Sequence, residues 1–343
     1  MDDNYILHSG VAHDNNPPGR GSGRYGWGTG MDPKQGNRRI GFLEEVDKMT
    51  KEGFTPTEIA KALLGPYQTS VDLKAMVAIE KKKVFTYVSK TGAVFIPAED
   101  DYCNFLQKDV LGKVVLFGEN VSSDINHVKY IKDCGLAGSV FSVDGIEINL
   151  KIPGIFNYRN ALASIALAKE LDLTAEEIKA GIENLSGLNS RMESSELNIK
   201  GNVKVNLIRD SYNANYESMS SVINFCDSLS NVNKKIYVLG DMLELGAESD
   251  EIHSKIGKQI AAGHSDYVIF IGEQMEKAAK VAKESGYKNS LCIPFADDDA
   301  MLFASQFIID CAEENDIILL KGSRGIALER IIPLVTASEA KNE

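Results

Sequence analysis

Residues 203–229, VKVNLIRDSYNANYESMSSVINFCDSL, contain the pattern on which the fold turns. An apolar run, Val203–Ile208, reads as a strand, and the stretch 217–229 repeats its apolar residues at helical spacing. Between them lies a polar segment, Arg209-Asp210-Ser211-Tyr212-Asn213-Ala214-Asn215. The same alternation continues downstream. Strands are expected at Lys235–Leu239, Tyr267–Ile271, Ser290–Ile293 and Ile317–Leu320, with helices at 249–262, 273–285 and 298–313 and a last one beginning near 326. Five strand–helix units in succession predict a doubly wound, parallel α/β sheet with right-handed crossovers.

In such a sheet, ligands bind beyond the carboxyl ends of the strands. The unusual polar residues gather there: Asp210 to Asn215 after the first strand, Gly240-Asp241-Met242-Leu243-Glu244-Leu245-Gly246 after the second, Gly272 after the third, and Lys321-Gly322-Ser323-Arg324-Gly325 after the fifth. Carboxylates, amides and cations on one rim suit an anionic or hydroxyl-rich ligand. Each such residue alone is ordinarily just solvated; their concentration at three strand ends favours a site.

Upstream, residues 84–190 also read as α/β. Strands are expected at Ala93–Ile96, Val114–Phe117, Gly138–Val143 and Ile146–Ile152, and helices at Tyr158–Leu171 and, behind the capping box Thr174-Ala175-Glu176-Glu177, up to Leu185. Residues 1–39 differ in kind. The Gly-rich GRGSGRYGWGTG segment reads as a flexible arm, because it offers too little apolar surface to offset its ordering entropy. Its literal GxGxxG at Gly21, Gly23 and Gly26 lacks the flanking strand and helix of a dinucleotide loop. Residues 40–80 read as a helical pair, with Thr55-Pro56-Thr57-Glu58 capping the second member. A helix-turn-helix is the sharper alternative to a plain helical pair.

The chain of 343 residues carries a formal net charge of −12, distributed as +1 in residues 1–85 and −13 in 86–343. That balance argues against nucleic acid or an anionic membrane as partners. Five dispersed cysteines without a CxxC pair favour reduced thiols in a cytoplasm. The five histidines are scattered without zinc-ligand spacing. No apolar run approaches the roughly 20 residues of a membrane span.

Several segments together resemble the Mur ligase family: DSYNANYESM, LGDMLELG and KGSRG in the C-terminal part, the 153–163 segment PGIFNYRNALA, the Ser190-Arg191-Met192-Glu193 junction, and Phe95-Ile96-Pro97-Ala98-Glu99-Asp100-Asp101. The resemblance covers residues 78–336. It implies a Rossmann-like C-terminal domain over 196–343 preceded by the latter half of a central domain over 81–195. It also implies ATP- and Mg²⁺-dependent joining of a carboxylate to an amine through an acyl phosphate. The closest branch adds D-alanyl-D-alanine to a UDP-muramoyl tripeptide in peptidoglycan precursor synthesis. On this resemblance Asn157 and Asn160 would lie near the adenine, Arg191 at the ribose-phosphate and Asp210 at the ribose. Tyr212, Asn213 and Asn215 would line the cleft. Asp241, Lys321, Ser323 and Arg324 would seat the incoming dipeptide or close on it. Arg191 and Lys321 would carry the catalytic charge, and Lys81 matches the family lysine that becomes carbamylated and binds magnesium.

The pattern also breaks. No glycine-rich loop ending in Gly-Lys-Thr or Gly-Lys-Ser occurs; Gly112-Lys113-Val114 and Gly257-Lys258-Gln259 are the nearest strings. Segments matching the family's N-terminal domain and first central strands are not found. Pro97, Phe156, Arg209 and Tyr216 replace Asn, His, Asp and Pro of the family pattern. Residues 1–80 instead loosely resemble leading segments of phage-encoded structural proteins. The expectation is a fused or rearranged chain, inactive alone unless a partner chain supplies the missing half. The alternative is a non-catalytic phage or mobile-element binding protein. A part-domain should also leave apolar surface uncovered.

Overall fold

The computed structural model describes residues 48, 49, 51, 77–121, 127–185, 187, 190–200 and 202–336. The Gly-rich arm and most of the expected helical pair lie outside the described residues; residues 48, 49 and 51 are helical. The chain divides after Val121 into two compact units. The expected boundary at 195/196 falls inside the second.

In the first unit, helical residues 77–82 precede strand β1 (Ala93–Pro97), helix α1 (Cys103–Gln107) and strand β2 (Lys113–Phe117). β1 and β2 pair in parallel, Ala93 opposite Lys113 through Pro97 opposite Phe117. Val94, Ile96, Phe105 and Leu106 form its small core. Val84, Tyr87 and Leu111 are exposed.

The second unit begins with an antiparallel sheet of β3 (Val128–Asp133), β4 (Ser139–Val143) and β5 (Ile146–Leu150). Helices α2 (Ile155–Glu170) and α3 (Ala175–Glu183) come next in the chain. The Thr174–Glu177 capping box is formed as expected. Leu136, Ile152 and Phe156 pack against a core cluster of the large sheet that completes the unit.

That sheet has six strands: β6 (Glu193–Ile199), β7 (Val203–Asp210), β8 (Lys235–Gly240), β9 (Tyr267–Ile271), β10 (Ser290–Ile293) and β11 (Ile317–Lys321), in the order β10-β9-β8-β11-β7-β6. The intervening helices are α4 (Tyr216–Ser228), α5 (Ser249–Ala262), α6 (Met275–Glu284) and α7 (Asp298–Cys311). Each parallel crossover must be right-handed. Travel from β7 through β10 runs one way across the sheet, so α4, α5 and α6 share one face. The return from β10 to β11 runs the other way, so α7 covers the opposite face. The core records this in strand alternation: Tyr237, Leu239, Val268, Phe270, Ile317 and Leu319 face the first helical layer. Ile236, Val238, Ile269, Ile271, Ile318 and Leu320 face α7 and the closing helix α8 (Ile331–Val335).

The five expected strands are parallel, and a sixth, β6, joins them antiparallel to β7 at the edge. The sequence ESSELNI hides this strand because it is an edge strand with mostly exposed side chains. The helix expected near 326 is two 3₁₀ turns, Arg324–Ile326 and Leu328–Arg330, before α8.

Candidate functional site

Every strand from β7 to β11 points its carboxyl end to one rim, so the residues after each strand meet there. β11 pairs with β7 on one side and β8 on the other, and Lys321 sits opposite both Asp210 and Leu239. This register sets the site. The Lys321 side chain is only 2% exposed, and its ammonium lies 2.8 Å from Asp210 Oδ2. It also donates to the Asn213 carbonyl at 2.7 Å. Burial pushes the Lys321 pKa below lysine's usual value, and the Asp210 carboxylate works against that shift. Asp210 Oδ1 accepts the Met192 amide at 3.2 Å. Asp210 therefore ties β7, β11 and the 190–193 junction together while each oxygen retains a free lone pair.

The junction is held in an uncommon conformation. Ser190 and Met192 have φ of 62° and 47°, costly for residues with a β-carbon. Hydrogen bonds fix it: Tyr212 N–H donates to the Ser190 carbonyl at 3.2 Å and Met192 N–H to Asp210. The result presents Arg191 outward, its guanidinium 4.2 Å from the centre of the Tyr212 ring. Arg191 is also close enough to act on the charge of Lys321. The neighbouring Arg209 does not project its charge into this space. It hydrogen-bonds Glu193 through Nε at 3.1 Å and also through a terminal guanidinium nitrogen.

The other expected residues divide into two sets. Tyr212, Asn213 and Arg324 are exposed. Arg324 pairs with Glu329 at 3.0 Å, and Glu329 also accepts the Ser211 hydroxyl at 3.2 Å. Asp241 and Ser323 spend their polar atoms inside the fold, and Asn215, though exposed, commits its carbonyl oxygen to a helix cap. Asn215 caps α4, accepting the Ser218 amide at 2.8 Å. Asp241 is 5% exposed. Its Oδ1 accepts the Met275 amide at 2.8 Å, at the first turn of α6. Burial raises its carboxyl pKa, and the amides of Met275 and Gln274 partly counter that. Gly272, with φ +118°, has room for no β-carbon, since one would stand 2.4 Å from the Asp241 carboxylate. Ser323 donates its amide to the Asp241 carbonyl at 3.0 Å and accepts the Leu243 amide at 2.9 Å.

At the start of α2, the Asn157 amide donates to the Pro153 carbonyl at 2.7 Å, and Asn160 donates to Asn157 Oδ1 at 3.4 Å. Each amide keeps N–H capacity for a ligand. Phe156, where the resemblance leads one to expect His, contributes apolar packing to the large sheet's core instead of a polar contact. Lys81 is an exposed residue of the first unit. Among the described residues no group of three or more His, Cys, Asp or Glu converges that could hold a metal ion. No helix among them is long and apolar enough to cross a membrane. His253 and Glu329 are polar supports of the rim that sequence reasoning passed over.

The family model of the Mur ligase middle domain matches residues 72–168. The model described as Mur ligase, glutamate ligase domain, matches residues 190–324. A UDP-N-acetylmuramoyl-tripeptide–D-alanyl-D-alanine ligase of Treponema pallidum is 33% identical over 263 residues, covering 76% of this chain and 53% of that protein. The protein of the same name from Escherichia coli is 31% identical over 265 residues, covering 75% and 55%. The chain thus spans about half the length of these relatives. In fold it is similar to MurF from Acinetobacter baumannii, with a TM-score of 0.62 and 22% identity over 75% of this chain and 54% of that one. It is also similar to MurF ligase from Thermotoga maritima, solved in complex with ADP, with a TM-score of 0.60 and 18% identity over 76% and 56%.

Proposed function

This chain belongs to the Mur ligase family, and from that premise we propose that residues 127–336 form the part of an ATP-dependent, ADP-forming amide ligase that grips the nucleoside and the incoming amine. The reaction class is the addition of D-alanyl-D-alanine to a UDP-muramoyl tripeptide in peptidoglycan precursor synthesis, which carries a cytoplasmic location with it. The observation behind the proposal is the buried Lys321–Asp210 pair, with Arg191 stacked on Tyr212 nearby.

The residue chemistry suits those tasks. The free lone pairs of Asp210 can accept ribose hydroxyls, and the exposed Arg191 fork can hold phosphate oxygens. Asn157 and Asn160 can read a base edge. Tyr212, Asn213 and Arg324 offer the exposed groups that an incoming dipeptide would meet, Arg324 being suited to its carboxylate. Asn215, Asp241 and Ser323 hold the loops that carry them. Bound ATP would supply the phosphoryl group that activates a carboxylate; the chain's own residues bind, orient and neutralise charge.

The described residues do not by themselves make a magnesium site, and Lys81 as a metal ligand stays a proposal that rests on resemblance. These 343 residues also contain no Gly-Lys-Thr/Ser loop to cradle terminal phosphates. We therefore expect no turnover from this chain alone, and a partner chain carrying that loop is the corollary.

Calorimetry with ADP tests the proposal. The wild-type chain should bind, and Arg191→Ala or Asn160→Ala should weaken binding about tenfold each, the scale of one charge-assisted or well-placed hydrogen bond. Failure of the wild type to bind would overturn it. ADP release that requires both a UDP-muramoyl tripeptide and D-alanyl-D-alanine would overturn the expectation of inactivity.

A further inference from the structure

His253 lies on the inner face of α5, fully buried, in line with Ile256 and Ile260. A histidine on a buried helical stripe needs partners for both ring nitrogens. Here Nε2 accepts the Met242 amide at 3.2 Å. The proton is thereby assigned to Nδ1, which lies 2.8 Å from the Ser249 carbonyl and can donate to it. The Ser249 hydroxyl donates in turn to Gln274 Oε1 at 2.9 Å, just before α6.

Met242 is the middle of a three-residue strut. Asp241 N–H donates to the Ile271 carbonyl at 3.2 Å, and the Asp241 carboxylate holds the first turn of α6. The Asp241 carbonyl and the Leu243 amide both engage Ser323, at 3.0 and 2.9 Å. Ser323 is two residues beyond Lys321 and is 4% exposed. Of the three amides in this strut, the one at Met242 is held by a side chain from α5, outside the sheet and the rim.

We propose that His253 is a positioning residue, which fixes the 241–243 strut and through Ser323 the loop that follows Lys321 and carries Arg324. It touches no ligand itself. Its replacement leaves a buried amide unpaired in the middle of the strut. The cost falls on the loop because Asp241, Leu243 and Ser323 hold one another. This inference rests on the proposed function only for its binding arm; the claim about the loop stands on the hydrogen bonds.

The test uses the full chain with His253→Leu, which fills space but accepts nothing, and His253→Gln, whose amide oxygen can take the place of Nε2. Amide hydrogen exchange over 241–245 and 321–325 should accelerate about tenfold in His253→Leu, the scale of an unmade buried hydrogen bond. Exchange across β7 should stay unchanged. ADP affinity should fall in parallel, and His253→Gln should restore both. Unchanged exchange at 321–325 in a folded His253→Leu, or no restoration by Gln, would overturn the proposal. If His253→Leu does not fold, the wild-type imidazole nitrogen shifts decide: a protonated Nε2 contradicts the bond to Met242, and a bare Nε2 with protonated Nδ1 supports it. If the wild type binds no ADP, the functional reading falls while the exchange result still decides the role of His253.

Discussion

The loops after β7 and β8 sit on one rim, and both carry an Asp within a polar motif, yet they use it in opposite ways. After β7, the Asp210 carboxylate keeps some solvent contact, and Tyr212 and Asn213 stand in solvent. After β8, the Asp241 carboxylate and the 241–243 amides are all directed inward, to α6, α5, Ser323 and β9. The difference comes from position in the sheet. β8 is flanked by strands on both sides and packed by helices on both faces, so the first residues of its loop are buried and must be satisfied internally. β7 lies one strand from the edge, beside the junction where two parts of the unit meet. Within one motif-rich rim, contact with solvent distinguishes residues that can meet a ligand from those that hold the rim in place.

That distinction can be broken most forcefully at Lys321, which serves both sides. Lys321→Met removes one member of a largely buried ion pair and should cost about 3 kcal/mol in urea unfolding, the lower end of the range because Asp210 keeps some solvent contact. ADP binding should be lost with it. A cost below about 1 kcal/mol would mean that the pair is not what holds β7 to β11 at the rim.

Tyr212→Ala sharpens the contrast. The ring is exposed, so the cation–π contact with Arg191 should contribute only about 0.5–1 kcal/mol to stability. Affinity for ADP should fall severalfold nonetheless, because Arg191 loses the surface that orients it. Equal losses in melting and in binding would place Tyr212 with the supports instead.

Asp241 gives the smallest effect and a defined sign. Its carboxyl pKa is raised by burial above the ordinary 3.8. Just above that pH the native protein keeps a proton that the unfolded chain has released, so this group's contribution to stability declines as pH rises through the window. Asp241→Asn removes the titration. The stability of the variant relative to wild type should therefore improve from about pH 4 toward neutrality, as read by denaturation at a series of pH values. A trend in the other direction would show that the α6 amides outweigh desolvation.

Much of this was legible in the residues. The strands of the large sheet announce themselves because they are buried on both faces and so read as unbroken apolar runs. Polar clusters after them mark the rim without any coordinates. Other features were not legible. Nothing in DSYNAN shows that Asn215, exposed like Asn213, is the residue that caps a helix, because that depends on where α4 begins. Arg209 reads as a charge reversed beside the ribose position, and only the β6–β7 register shows Glu193 opposite to absorb it. His253 looks like one of five scattered histidines until its helical phase with Ile256 and Ile260 is noticed. Phe156 reads as a lost polar contact, whereas packing across the unit gives it an apolar task.

Gly272 carries a consequence for the gene as well as for the fold. Every missense change at that codon brings in a β-carbon, or in proline's case a ring bearing one, and the nearest neighbour of any such atom would be a carboxylate already clasped by α6. The position therefore offers natural variation no neutral step: to change it, a lineage would have to relocate Asp241 first.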